Sequence, residues 1–287
     1  TGAEVVMASD PDADRIGLVI RDNNGEYVLI NGNQIVMIFL NYLMTRNTEL
    51  GTLTGNEYIV KTIVTTETIR TIAEAQHIKM YDCFTGFKWI ANVMRENEGK
   101  ARYLGGGEES YGFLAEDFVR DKDSVSAISL MAEIAAWAKD KGLNMTDMLI
   151  DIYMKYGFSR EKGISLVRKG KSGAEEIIAL MKQFRENPPK EIAGSPVVTV
   201  KDFQSLVETN VATGETKKLD MPATSNVLQY YTADRTKVSV RPSGTEPKIK
   251  FYIEVHDTLA SADEYKVTEA RADEKIDRIA KEFGITK

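Results

Sequence analysis

The chain has 287 residues, a formal charge of −6, 43% apolar and 28% charged residues, and a single cysteine, Cys83. That length accommodates two domains and perhaps a small third, and the composition is that of an ordinary globular protein. The acidic balance argues against general nucleic-acid binding, and no apolar run is long enough to span a membrane. A lone cysteine excludes an intramolecular disulfide framework and fits a reducing cytoplasm.

In chain order, Val5 to Ala8 and Ile16 to Ile20 read as buried strands. Asp22-Asn23-Asn24-Gly25 is a hairpin turn, and Tyr27 to Ile30 is its return strand. Asn31-Gly32-Asn33 breaks the pattern, and a domain boundary is expected there. Gln34 to about Thr45 has helical spacing at Ile35, Ile38, Phe39, Tyr42 and Leu43. Tyr58 to Val64 is strand-like, Thr66 to Ala75 is a helix capped by Thr65 or Thr66, and Lys79 to Asp82 is a short strand. A helix follows Thr85-Gly86-Phe87-Lys88, and a strand at Arg102 to Leu104 runs into three glycines. Helices are expected at Ser124 to Lys141, with Ile128, Met131, Ala132, Ala135 and Ala138 inward, and at Thr146 to Tyr156. Strands alternating with helices predict a parallel α/β sheet with ligands at the strand ends. After residue 161 the pattern changes. A helix over Gly173 to Phe184 stops at Asn187-Pro188-Pro189, several grouped strands follow, and an amphipathic helix closes the chain from Ala262 to Phe283. This is the signature of a separate α+β domain.

Three loops carry chemistry. Asp10-Pro11-Asp12-Ala13-Asp14-Arg15 sets three carboxylates at alternate positions between two apolar runs. Such like charges become tolerable around a cation, and oxygen-only donors select a hard one, Mg²⁺ or Mn²⁺. An EF-hand calcium loop needs Gly and Glu where Arg15 and Arg21 stand, which excludes it. The other reading is a solvated acidic turn. Gly105-Gly106-Gly107-Glu108-Glu109-Ser110-Tyr111-Gly112 combines close backbone approach with carboxylates and a hydroxyl suited to vicinal sugar hydroxyls. A flexible glycine turn with exposed acids accounts for it equally well. Arg241-Pro242-Ser243-Gly244-Thr245-Glu246-Pro247-Lys248 joins two apolar strands and gathers positive charge, hydroxyls and a glycine into a phosphate cradle. A plain Pro-Gly turn is its alternative.

Together these loops resemble the later part of the α-D-phosphohexomutase superfamily, the family of phosphoglucomutase and phosphomannomutase. The metal loop Asp10–Arg15, the sugar loop Gly107–Ser110 and the phosphate loop Arg241–Lys248 match in order and spacing along essentially the whole chain. Thr85-Gly86-Phe87-Lys88 resembles a family segment that places a lysine at the active site. Asp121-Lys122-Asp123 resembles the branch nearer phosphoglucomutases and phosphopentomutases.

The resemblance implies a three-layer α/β mutase domain followed by a smaller α+β, TATA-box-binding-protein-like C-terminal domain. It implies that residues 1–30 end domain 2, residues 31–160 are domain 3 and residues 161–287 are domain 4. The chain opens at Thr1 in what reads as the middle of a fold, so a longer protein is expected. Nothing here matches the family's Thr-Ala-Ser-His-Asn-Pro phosphoserine motif. Ala223-Thr224-Ser225-Asn226 is a superficial echo without the His and Pro. The implied partners are the N-terminal domains of the same protein and a phosphosugar, with no nucleic acid and no membrane.

The implied reaction interconverts hexose 1-phosphate and hexose 6-phosphate through a phosphoserine and a bisphosphate. Asp10, Asp12 and Asp14 would hold Mg²⁺ (or Mn²⁺), Arg15 would steady phosphoryl oxygens, and Lys88 would carry a proton or a fixed charge. Gly107, Glu108, Glu109 and Ser110 would read the sugar, and Arg241, Ser243, Gly244, Thr245 and Lys248 the non-reacting phosphate. Glucose 1,6-bisphosphate is the implied activator. Glu109 resembles glucose-preferring members, where dual-specificity phosphomannomutases tend to have Met, so glucose precedes mannose and pentose. A metal-dependent sugar phosphatase and a non-catalytic sugar-phosphate binding module stand as other classes.

Overall fold

The computed structural model describes residues 2–168, 170–244 and 246–285. They form two compact units, Thr1–Gly157 with Leu259–Ala262, and Phe158–Thr258 with Asp263–Lys287. Among the described residues no helix is long and apolar enough to cross a membrane.

The first unit opens with an antiparallel ribbon of β1 (Val5–Ser9), β2 (Ile16–Arg21) and β3 (Tyr27–Ile30). Strand β2 buries Ile16, Leu18 and Ile20 and turns the alternate residues outward. Strand β1 was expected to be buried; it pairs only with β2, and Val6 stays 46% exposed. The turn between β2 and β3 closes on the Asp22 carboxylate, which accepts the N–H groups of Asn24 and Glu26, both at 2.9 Å.

Helix α1 (Gly32–Glu49) follows directly. Its cap is reciprocal: Gln34 N–H donates to Asn31 Oδ1 at 2.9 Å, and Asn31 N–H to Gln34 Oε1 at 3.0 Å. It is buried on all sides from Gly32 to Tyr42, as an apolar-all-round sequence requires. The second sheet runs in the order β5 (Lys79–Cys83), β4 (Glu57–Thr62), β6 (Arg102–Gly107), β7 (Phe113–Ala115). Strand β4 is parallel to β5 and β6, and β7 is an antiparallel edge. Helix α1 covers one face and α3 (Phe87–Asn97) the other, where Tyr58, Val60, Phe87, Ile90 and Tyr103 share a core.

Helix α2 (Thr68–Ala75) starts later than its threonines suggest. Thr65 and Thr66 are buried and already engaged, Thr65 Oγ1 with Thr62 Oγ1 at 2.8 Å and Thr66 N–H with Asn33 Oδ1 at 2.9 Å. The three glycines after Leu104 are strand, not loop. A Cβ on Gly107 would lie 2.6 Å from Val36 Cγ2, and one on Gly106 2.6 Å from the Val60 carbonyl oxygen. They let α1 and β4 close on β6, a packing requirement rather than a ligand one. Helix α4 (Ser124–Asp140) is capped by Asp123 and turns Ala127, Met131, Ile134 and Ala138 inward, a different stripe from the expected one. Helix α5 (Met145–Tyr156) completes the unit.

The second unit is an antiparallel sheet of β8 (Phe158–Val167), β9 (Glu191–Ile192), β10 (Ser195–Asp202), β11 (Val207–Asn210), β12 (Thr216–Lys218), β13 (Leu228–Thr232), β14 (Lys237–Pro242) and β15 (Lys248–Asp257). Its path is β12-β11-β10-β13-β14-β15-β8, with β9 paired to β10. Helices α6 (Gly170–Glu186) and α7 (Tyr265–Glu282) pack on the sheet. Phe184 meets Phe251 at 5.9 Å between ring centroids, and Phe283, just past α7, meets Phe251 at 5.9 Å.

Asp234 ties the turn after β13 to α7. Its Oδ1 accepts from the Thr232 and Thr236 hydroxyls at 2.6 and 2.9 Å, and Lys275 Nζ donates to Oδ2 at 2.6 Å. Burial alone would raise this carboxyl, but Lys275 and the hydroxyls outweigh it and hold it well below its ordinary 3.8. A depressed carboxyl adds stability above the unfolded value and loses it as pH falls through the folded value. Hydrogen exchange of the β13–β14 amides should therefore show stability falling below pH 3.8, with a shallower fall in Asp234→Asn.

Candidate active site

The loop Asp10–Arg15 leaves the end of β1 and is folded by its own first carboxylate. Asp10 Oδ1 accepts the N–H groups of Asp14 and Arg15, each at 3.1 Å. Burial alone would raise Asp10, but these donors and the Arg15 guanidinium hold it low. Ala13 at the tip has a left-handed backbone, φ 58°, and its carbonyl accepts the N–H of Ser124 at 3.1 Å. Ser9 Oγ and Ser124 Oγ share a hydrogen bond of 2.6 Å, so the start of α4 braces the loop at two points.

The turn at Glu108–Gly112 closes between β6 and β7. Glu108 N–H donates to the Gly112 carbonyl at 2.9 Å and Tyr111 N–H to the Glu108 carbonyl at 3.2 Å. Tyr111 is also left-handed, φ 74°, and its carbonyl accepts the N–H of Ile16 at 3.2 Å. Arg15 and Gly112 form an antiparallel bridge. Metal loop and sugar loop are thus joined backbone to backbone, and each holds one non-glycine residue in a costly conformation that the other segments fix. Sequence reasoning had no signal for this junction.

Glu108 is buried, 6% exposed, and its Oε1 accepts the Gly86 N–H at 2.7 Å. That contact links the sugar loop to Gly86-Phe87-Lys88 at the start of α3. Glu109 Oε2 accepts from the Thr62 hydroxyl at 3.3 Å, at the end of β4. Lys88 is exposed, with Nζ 5.3 Å from the Trp89 ring centroid, and makes no ion pair among the described residues. Burial pushes the Cys83 thiol up, which suits a packed side chain and not a nucleophile.

Asp14 carries the cation that sequence reasoning missed. Lys122 Nζ stands 2.7 Å from Asp14 Oδ2 and 3.2 Å from Asp121 Oδ1. Arg15 is more distant, 3.7 Å from Asp10 Oδ2 and 3.9 Å from Asp14 Oδ1. Asp12 is exposed at the loop tip. Among the described residues no three carboxylate, imidazole or thiolate groups already converge at metal-holding distances. The donor set nevertheless fits a hard dication. It is all oxygen, and Asp14 Oδ1 is buried without a hydrogen-bond partner.

In the second unit, the loop between β14 and β15 is closed by Ser243 N–H to the Lys248 carbonyl at 2.8 Å. Arg168 N–H donates to the Pro247 carbonyl at 2.9 Å, which brings the end of β8 alongside. Lys248 pairs with Glu246 and holds that carboxyl low. Arg241 Nη1 reaches Tyr252 Oη at 3.5 Å. Gly244 is exposed, and a Cβ there would meet open space. Thr245 lies outside the described residues.

Residues 31–156 match the model of phosphoglucomutase/phosphomannomutase α/β/α domain III, and residues 185–272 match that of the C-terminal domain. The chain belongs to the phosphoglucomutase/phosphomannomutase family. It is 36% identical over 251 residues to a phosphoglucomutase of Staphylococcus epidermidis, and 34% identical over 254 residues to one of Staphylococcus haemolyticus. Each alignment covers 88% of this chain and 45% of the relative, so the chain spans about half the length of the curated relatives it matches. Its fold is similar to that of pp63/parafusin, a phosphoglucomutase from Paramecium in its open form. The TM-score is 0.59 at 16% identity, over 96% of this chain and 46% of that one. A phosphomannomutase structure from Thermus thermophilus matches with TM-score 0.57 at 17% identity, over 93% and 45% of the two chains. The three-layer unit followed by a smaller α+β unit is the fold of this family's domains III and IV.

Proposed function

We propose that this chain is the metal- and sugar-handling part of a phosphoglucomutase-type intramolecular phosphotransferase. The enzyme would interconvert hexose 1-phosphate and hexose 6-phosphate in the cytoplasm through a phosphoserine and a bisphosphate, with the serine supplied from outside these residues. The observation that carries the reading is the junction of the two loops. Ile16 N–H bonded to the Tyr111 carbonyl at 3.2 Å, with the Arg15–Gly112 bridge, puts three carboxylates beside Glu108, Glu109 and Ser110 on one rigid unit.

The roles follow from the chemistry of the groups. Glu108 accepts from vicinal sugar hydroxyls, and Ser110 adds a hydroxyl that donates or accepts. Asp10, Asp12 and Asp14 would hold Mg²⁺, which when bound offsets charge on the transferring phosphoryl group. Arg15, exposed at the loop's end, steadies phosphoryl oxygens with its planar fork. Exposed Lys88 supplies positive charge at the same strand ends. Arg241, Ser243, Gly244, Thr245 and Lys248 grip the phosphate that is not reacting, where the open space at Gly244 leaves the backbone accessible. Glucose 1,6-bisphosphate is the activator, since a bisphosphate regenerates the phosphoserine. Glu109 and the relatives' names favour glucose over mannose or pentose.

Phosphorus NMR tests this with the chain, Mg²⁺, glucose 1-phosphate and a trace of glucose 1,6-bisphosphate. The 1-phosphate signal should broaden or shift without conversion. Glu108→Gln should weaken binding by roughly tenfold or more, the loss of a hydrogen bond to a charged group. Growth of inorganic phosphate would favour a sugar phosphatase. Appearance of 6-phosphate would place a nucleophile within these residues.

A further inference from the structure

Lys122 sits where the two loops meet, yet the chemistry above gives it no role. Its side chain is 15% exposed, and its ammonium is shared between Asp14, at 2.7 Å, and the 70% exposed Asp121, at 3.2 Å. Its stem is held in place. A Cβ on Gly112 would lie 2.8 Å from Lys122 Cδ and 3.5 Å from Glu108 Oε2, so the lysine stem and the sugar-loop carboxylate flank the same backbone. The next two residues fix the backbone on the other side, Asp123 N–H on the Phe113 carbonyl and Ser124 N–H on the Ala13 carbonyl, both at 3.1 Å. A dication drawn to the buried, unpartnered Asp14 Oδ1 therefore meets an ammonium already on the other oxygen of the same carboxylate.

We propose that Lys122 is the resident counter-ion of the metal loop: it competes with the dication for Asp14 and sets how tightly the loop holds metal, with Asp121 as the alternative seat for its ammonium. The inference rests on the metal reading of Asp10, Asp12 and Asp14. Two positive charges on one carboxylate repel, and partial burial keeps that repulsion from being fully screened. Asp121 lowers the cost by drawing the ammonium aside. The expected result is a loop that binds metal reversibly yet stays ordered when a lysine is its only cation.

The test is a Mn²⁺ titration of this chain, with free Mn²⁺ read by electron paramagnetic resonance. Lys122→Met should bind Mn²⁺ roughly tenfold more tightly, the size of a close charge–charge term at a partly exposed site. Asp121→Asn, an exposed change that leaves the core alone, should bind it severalfold more weakly because the ammonium then rests on Asp14 alone. Lys122→Arg should stay near the unmodified chain. A lysine that merely props the loop predicts the opposite sign for Lys122→Met, weaker binding, and that result or an unchanged affinity overturns the proposal. If the unmodified chain takes up no Mn²⁺, or Asp12→Asn leaves uptake unchanged, the metal reading falls and this inference with it. If Asp12→Asn weakens uptake while Asp121→Asn and Lys122→Met leave it alone, only the counter-ion role fails.

Discussion

Gly32→Ala is expected to displace the sugar loop from the helix it rests on, although it adds a single methyl group. A Cβ on Gly32 would lie 2.0 Å from the Glu109 carbonyl oxygen, 2.6 Å from its carbon and 2.9 Å from the Tyr111 nitrogen. All three are backbone atoms, so no rotamer change relieves the clash. The helix cannot yield easily, because its capping box is closed on both sides and α1 is buried all round from Gly32 to Tyr42. The loop must move, and with it the Glu108–Gly112 turn and the carbonyl that accepts from Ile16. Overpacking of this kind costs about 1–3 kcal/mol, and backbone-on-backbone contact puts it at the upper end. Displacing a reading group by about 1 Å weakens what depends on its placement by up to roughly 10²-fold. Denaturant unfolding followed through Trp89 and Trp137, both in the first unit, should show the lower midpoint, and a glucose 1-phosphate titration the lost affinity. Gly244→Ala is the control, since its Cβ meets open space and stability should change by less than about 0.5 kcal/mol. An unchanged midpoint and affinity in Gly32→Ala would mean that the seat is soft.

The same glycine shows what could and could not be read in advance. Asn31-Gly32-Asn33 looked like a break between domains because its residue types favour turns. In the structure each has a partner: Asn31 caps α1, Asn33 Oδ1 takes the Thr66 N–H, and Gly32 admits the sugar loop. Short-range chemistry was legible. Asp22 builds its own turn and Asp123 its own cap, because donor and acceptor lie within a few residues. The helix phase of α4 was not, because alanines score as apolar on every face and only packing selects Ala127 and Ile134 over Ala132 and Ala135. The three functional loops were legible because each gathers its groups in one short run. Lys122 was not, because nothing near Asp14 in sequence says which distant cation will meet it. Ala13 and Tyr111 were hidden for the same reason, since long-range hydrogen bonds hold their left-handed backbones.

Lys61→Met is expected to be the most destabilising single change of a polar residue in the first unit. Lys61 is 0% exposed inside β4, a strand that reads as β-branched and apolar from its neighbours. Its ammonium lies 2.9 Å from Glu67 Oε1 and 2.8 Å from Asp82 Oδ1. Arg70 closes the square, with Nε 3.0 Å from Glu67 Oε2 and a second contact to Asp82. Methionine fills the volume of the stem but leaves two half-buried carboxylates sharing one guanidinium that is 38% exposed. Removing one partner from a buried charge cluster costs about 3–5 kcal/mol, mostly the desolvation of what stays behind. The cause can be separated from packing. Lys61→Met combined with Glu67→Gln and Asp82→Asn removes the stranded charges and should recover most of the loss, whereas a packing defect would persist. The effect should also reach the sugar loop. Lys61 Nζ donates to the carbonyls of Thr62 and Thr65 at 3.4 Å each, and the Thr62 hydroxyl donates to Glu109 Oε2. Glucose 1-phosphate affinity should therefore fall in the single variant by more than the lower midpoint accounts for. In the triple variant stability should return further than affinity, because the network that set Thr62 is still gone. Equal recovery of both would mean that the cluster holds the fold without aligning Glu109.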